Sequence, residues 1–209
     1  MDSAKPRSNK PRSNKSGVTK PRPAGPPPSR SRLQEAALRH LTRYAATEAG
    51  LTLVLDRRID RWARLAATEG EVDPAAICQA KQAAREVTAS LVEAGAVNDA
   101  AFAEARARRL TRAGRSSRAV GAHLAARGVN GELAQSVLPN DPERELAAAL
   151  VYAKKRRLGP FRNGDEDLNQ RRREIGAMAR AGFGHGTVER AMDMDLDEAL
   201  TRVLALKAG

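Results

Sequence analysis

LVEAGAVNDAAFAEARARRLTRAGRSSRAVGAHLAARGVNGELAQSVL, residues 91–138, is the stretch whose reading decides the fold. Leu91 closes an apolar-periodic helix, and Gly95 follows where a left-handed residue caps such a helix without a Cβ penalty. Asn98 or Asp99 then offers a side-chain oxygen to the free N–H groups of a new helix, which runs through Phe102 to about Leu110 and ends near Gly114. Ser116 or Ser117 caps the next helix, which packs through Val120 and Leu124 and stops at Gly128. Val129 leads into a third, with Leu133 and Val137 one turn apart on one face. The stretch is one helix-helix-helix unit punctuated by glycine.

Working outward, the same rhythm recurs on both sides. Before it, Leu38, Leu41 and Ala45 give a first helix ending before Gly50, and Thr52 is the expected cap of a second carrying Leu51, Leu55, Ile59 and Trp62 on one stripe. Asp73-Pro74, a cap followed by proline at the first helical position, opens a third with Ile77, Ala80, Ala84, Val87 and Leu91 in register. After it, Asp141-Pro142 opens a helix through Leu146, Ala149, Leu150 and Ala153 that Leu158-Gly159-Pro160 terminates. Residues 161–170 read as a loop, a helix resumes through Arg171 to Gly182, a short one holds Val188 and Met192, and Leu196 to Leu206 forms a tail helix. Laying Gly128 on Gly182 pairs Leu124 with Met178, Val129 with Phe183 and Leu138 with Met192, so the units repeat.

Composition agrees with this pattern. Apolar residues make up 41% of the 209 residues but aromatics only 3%, so the cores are built from Ala, Leu, Val and Ile, which suits close helix packing. The expected fold is all-α: a tandem array of three three-helix modules, residues 33–97, 98–139 and 140–209, the last with its C-terminal helix. Residues 1–32 hold KPRSN twice in tandem and seven of the eleven prolines, and are expected to be a disordered basic arm. The arm carries +8 of the formal net charge of +12, leaving the body only mildly basic. The arm reads equally well as a weak polyanion-binding segment and as a solubilising extension.

Cys78 is the single cysteine, which leaves no internal disulfide and fits a reducing, cytoplasmic setting; its position on the third helix suggests a small buried side chain. His40, His123 and His185 stand alone, so no metal or cofactor site is expected. No apolar run is long enough to span a bilayer. Phosphate-loop and triad motifs are lacking, which argues against an enzyme.

The junction Leu91, Gly95, Asn98, Asp99, Phe102, Ala103 resembles the Leu-x-x-x-Gly-x-x-(Asp/Asn)-Asp-x-x-Phe-Ala hallmark of the RecX family, regulators of the RecA recombinase. The corner Leu124-Gly128-Val129, the run from Lys154 to Phe161 and the corner at Gly182 and Phe183 are similar to that family as well, and the likeness spans about residues 36–195. The resemblance implies an elongated, crescent-like helical protein that lies in the groove of the RecA–DNA filament and limits its growth, ATP hydrolysis and strand exchange. It further implies a cytoplasmic, probably monomeric modulator rather than a catalyst.

Three arginine-rich clusters are the candidate contact residues for such a filament, or for DNA directly. Arg108, Arg112 and Arg115 share one side of the middle module's first helix; Lys154, Lys155, Arg156 and Arg157 end the third module's first helix; Arg171, Arg172 and Arg173 open the next. Guanidinium forks match phosphate and carboxylate. The competing reading of each is a solvated helix face, or a cation complementing a helix C-terminus. A small architectural DNA-binding protein acting through the arm and these clusters is the alternative function.

Overall fold

The computed structural model describes residues 23–138, 140–164 and 167–208. The arm expected over residues 1–32 falls outside the described residues up to position 22. Its last three residues are not arm: Ser29 caps α1 (Arg30–Leu41), its hydroxyl accepting the Arg32 N–H. Packed against α2 and α3, the helix turns Leu33 and Ala37 inward, while Leu38, expected in the core, is 46% exposed.

The described chain is helical throughout its regular elements. The first module holds α1, α2 (Glu48–Ala66) and α3 (Pro74–Glu93); the second α4 (Asp99–Arg112), α5 (Ser117–Ala125) and α6 (Gly131–Ser136). The third holds α7 (Pro142–Arg156), a 3-10 turn at Gly159–Phe161, α8 (Leu168–Arg180), α9 (His185–Met192) and α10 (Leu196–Ala208). Asn98, Ser116, Asn130, Asp141 and Asp167 each accept a backbone N–H at the start of a helix, satisfying donors that no helical carbonyl reaches. Thr47, not Thr52, caps α2; the Thr52 hydroxyl instead donates back to the Glu48 carbonyl inside the helix.

Each module has its own core. Leu33, Leu51, Leu55, Ile59, Ala84 and Val87 fill the first; Ala103, Val120, Leu124 and Val129 the second; Leu146, Leu150, Met178, Val188 and Val203 the third. Trp62 packs against the first core and donates its indole N–H to the Gly25 carbonyl, so the chain before α1 lies along α2. Cys78 is exposed, which corrects the expected burial: the inward stripe of α3 is Ala80, Ala84, Val87 and Leu91, and Cys78 points away from it. In α7 every residue from Leu146 to Val151 is buried, because α4, α8, α9 and α10 surround it. Such all-round burial requires the small side chains of Ala147, Ala148 and Ala149.

The corner glycines Gly128 and Gly182 carry the repeat, each between the second and third helices of its module with φ of +77° and +95°, and Gly95, φ +71°, makes a like turn between α3 and α4. Behind each, a backbone N–H reaches back across the turn: Val97 to the Leu91 carbonyl, Val129 to Leu124, Phe183 to Met178.

The modules are joined by one chemistry used twice. At the first joint the Thr47 hydroxyl, already capping α2, donates to the Arg127 carbonyl at 2.6 Å, and the Asp99 carboxylate accepts the Glu48 N–H at 2.8 Å. At the second, the Ser116 hydroxyl capping α5 donates to the Ala181 carbonyl at 2.7 Å, and the Glu145 carboxylate accepts the Ser117 N–H at 3.0 Å. In both, the start of one module's second helix seats against the residue before the next module's corner glycine. A Cβ on Gly128 would lie 2.3 Å from the Ala49 Cβ, and one on Gly182 2.6 Å from the Ser116 Oγ. The third module has Asp167 at the equivalent cap. A carboxylate has no hydroxyl proton to donate onward, and α10 covers α7 instead, with Arg202 and Arg190 both bonded to Glu143.

Candidate functional site: a basic groove at the first joint

The joints share a clamp but differ beside it. At the second, Gly114 (φ +81°), two residues before the cap, lies so close to α7 that a Cβ there would sit 2.8 Å from the Tyr152 backbone nitrogen. Lys155 Nζ closes the seam by donating to the Ala113 carbonyl at 2.7 Å. At the first joint the residue two before the cap is Ala45, which is exposed and lines an opening instead. A groove of about 1580 Å³ remains open between the modules.

The groove is walled by basic side chains. Arg43 and His40 approach from the end of α1, Arg57 from α2, Arg106 and Arg109 from α4, and Arg127 from the corner after α5. No carboxylate lines it among the described residues. Its floor is apolar and small, with Ala45, Ala49, Leu53 and Phe102, and Tyr44 stands at the rim 62% exposed, its ring 5.3 Å from that of His40. Five guanidinium groups around one concavity, with no carboxylate among the described residues that line it, make its potential positive, the sign that attracts a polyanion.

One of the arginines is held in place. Arg106 Nε donates to His123 Nε2 at 2.9 Å, which requires a neutral imidazole. Burial, followed by the charges of Arg106, Arg127 and Arg115, pushes the His123 pKa below its ordinary value. The unfolded chain therefore binds this proton more readily than the folded one. The contribution is intact above the ordinary histidine pKa and is lost as pH falls through the lowered folded value. We expect the melting temperature to drop between pH 7.5 and pH 5, and the drop to be smaller in His123→Gln, whose amide oxygen accepts from Arg106 without titrating. Equal drops in both would refute the assignment.

None of the ten basic residues singled out by sequence spacing lines this groove. Arg108 pairs with Glu104 on the α4 surface, and Arg112 is half-buried with an Nε that meets no partner. Arg115 is exposed beyond Gly114. Lys155 is a strut of the second joint, Lys154 lies 6.0 Å from the Phe161 ring centroid and Arg156 5.2 Å from that of Tyr152. Arg157 is exposed and caps α7 in the left-handed conformation, and Arg171 is paired with Asp193. Arg172 and Arg173 point to solvent. Eight of the ten are exposed and Arg112 and Arg171 are half-buried; Lys155 and Arg171 also hold bonds within the fold. The junction residues are structural: Leu91 is buried, Asn98 caps α4, Asp99 ties the first joint, Phe102 floors the groove, and Phe183 packs against Tyr152.

Spacing along a single helix did not bring out the groove because its arginines come from four separate elements. The only signal was indirect: Arg106 and Arg109 occupy the α4 face beside Phe102, towards the first module rather than away from it.

Comparison with known proteins decides the family. A curated regulatory protein RecX from Myxococcus xanthus is 36% identical over 199 residues, covering 92% of this chain and 98% of its own. The chain belongs to the RecX family. The family model for the RecX second three-helix domain matches residues 98–138, the stretch that set the reading of the fold. A regulatory protein RecX from Agrobacterium fabrum is 35% identical over 104 residues, half of this chain and 55% of its own. The crystal structure of RecX from Lactobacillus salivarius covers 81% of this chain and 97% of its own with a TM-score of 0.56 and 17% identity, which shows the shared fold. The all-α modular architecture expected from sequence is the RecX architecture, and the role of the family is regulatory. No helix among the described residues is long and apolar enough to cross a membrane.

Proposed function

We propose that this protein regulates the RecA recombinase by lying along the RecA–DNA filament, limiting its growth, its ATP hydrolysis and strand exchange. The observation that carries this reading is the carboxylate-free groove of Arg43, Arg57, Arg106, Arg109 and Arg127 on a chain of RecX type. A filament presents phosphates and acidic side chains at a regular repeat, and a row of linked modules meets such a lattice at several points at once, which multiplies weak contacts. Arg115, Arg157, Arg172 and Arg173 supply the outlying contacts. The protein acts by binding, with no bond made or broken by its own residues.

The test is DNA-stimulated ATP hydrolysis by RecA, titrated with the full chain. Hydrolysis is expected to fall, and Arg109→Glu/Arg127→Glu to raise the half-inhibitory concentration at least about tenfold, since each reversal replaces an attraction worth about 1 kcal/mol or more by repulsion. Unchanged hydrolysis in the presence of folded protein would end the proposal. The contribution of the arm is read from a chain that starts at Pro23, which keeps both the Ala24 N–H bond to Glu69 and the Trp62–Gly25 bond. A start at Leu33 would remove the α1 cap and its first turn.

A further inference from the structure

We propose that the groove at the first joint binds a single nucleic-acid strand directly, with Tyr44 as the platform on which a base stacks. The inference rests on the regulatory reading for its biological setting but not for its chemistry, and it names the ligand of that site.

Three features of the groove select this ligand. The cations are five arginines, whose planar forks fit phosphate oxygens in pairs, and they stand on both walls of a channel rather than on a convex face. Tyr44 breaks the rule that the described residues keep their few aromatics in or against a core: it is 62% exposed, at the rim of this basic concavity. Among the described residues its ring neighbour is His40, at 5.3 Å and tilted by 40°, so one ring face is left for a ligand. An exposed aromatic beside a run of guanidinium groups is the pairing by which proteins hold unpaired strands: the cations follow the phosphates and the ring takes any base. An acidic peptide would satisfy the arginines but has no planar group to place on Tyr44, and in a duplex the bases are already stacked on one another.

The experiment is fluorescence anisotropy of a labelled oligothymidylate of about 20 nucleotides with the full chain and no recombinase present. The full chain is used throughout, so the basic arm contributes equally to every variant and differences report the groove. Binding is expected with a salt slope that Arg109→Gln/Arg127→Gln lowers by about 1.4, the amount due for two phosphate contacts on a single strand. Tyr44→Ala is expected to weaken binding about 5- to 100-fold at unchanged salt slope, and Tyr44→Phe to restore it. All three positions are exposed, and thermal melting confirms that each variant folds. A duplex of the same length is expected to bind more weakly.

Binding that is indifferent to Tyr44→Ala, absent altogether, or matched by a polyglutamate peptide of equal charge would overturn the proposal, the last outcome pointing to an acidic protein segment as the ligand. RecA inhibition that persists without oligonucleotide binding would sink this inference and leave the regulatory one standing. Oligonucleotide binding without RecA inhibition would do the reverse.

Discussion

Glu174→Ala is expected to cost about 3–5 kcal/mol of stability, the loss typical of removing one partner from a buried ion pair. Glu174 is 5% exposed and accepts from the Gly159 N–H at 2.9 Å, from Arg162 Nε at 2.9 Å and from Gln170 Nε2 at 3.2 Å. One carboxylate therefore holds the turn after α7, the chain leading to α8 and the first half of α8 itself. Removing it deprives a nearly buried guanidinium of this counter-charge and leaves the Gly159 N–H to find another acceptor. The Arg162 guanidinium holds the Glu174 carboxyl below its ordinary value against the opposing effect of burial, with the Gly159 N–H adding to it. Because the folded value is depressed, the stabilisation is complete above the ordinary carboxylate range and is lost as pH falls through the folded value. Urea unfolding of the wild type and of Glu174→Ala at neutral pH measures the difference, and hydrogen exchange locates it in α8. A loss below about 1 kcal/mol would mean that water replaces the carboxylate.

Gly128→Ala is expected to open the first joint. At φ +77° any side chain is strained by about 1–3 kcal/mol, and here the new Cβ would also lie 2.3 Å from the Ala49 Cβ. Ala49 is in the first turn of α2 and cannot rotate away, so the second module must back off from the first, adding about 1–3 kcal/mol of overpacking and stretching the Thr47–Arg127 bond. Gly95→Ala is the control: φ is +71°, but no atom lies within 4 Å of the added Cβ, so only the backbone strain applies. Spin labels on the exposed Cys78 and on a cysteine replacing Glu104 report the separation of the modules. It should lengthen or broaden in Gly128→Ala and stay unchanged in Gly95→Ala. The groove widens with the joint, so Gly128→Ala should also weaken polyanion binding without touching a charge. Identical distance distributions in the two variants would show that the corner does not set the joint.

The glycine corners and helix caps were legible in the chain because they are local. Asn98, Ser116 and Asp141 bond to N–H groups within three residues, and a positive φ is a property of one residue and its immediate turn. Mistakes arose where two local signals competed. Thr47 and Thr52 both precede apolar periodicity, and what favours Thr47 is a second bond to a carbonyl 80 residues away. Leu38 fits an amphipathic stripe as well as Leu33 does, until packing against α2 and α3 decides which of them is buried.

By itself, then, the sequence determined that the protein is helical, where its corners fall and that its unit repeats, since caps, glycines and apolar spacing act over a few residues. The tertiary structure alone decided which cations act together. Helical spacing puts Arg108, Arg112 and Arg115 on one side of α4, but whether a side faces solvent or another module depends on how modules are joined. That is set by the hydroxyls of Thr47 and Ser116 reaching carbonyls in the next module, and by the bare backbone of Gly114 closing on α7 at the second joint. Those contacts leave one seam open and basic and close the other, and no pattern within a single helix encodes them.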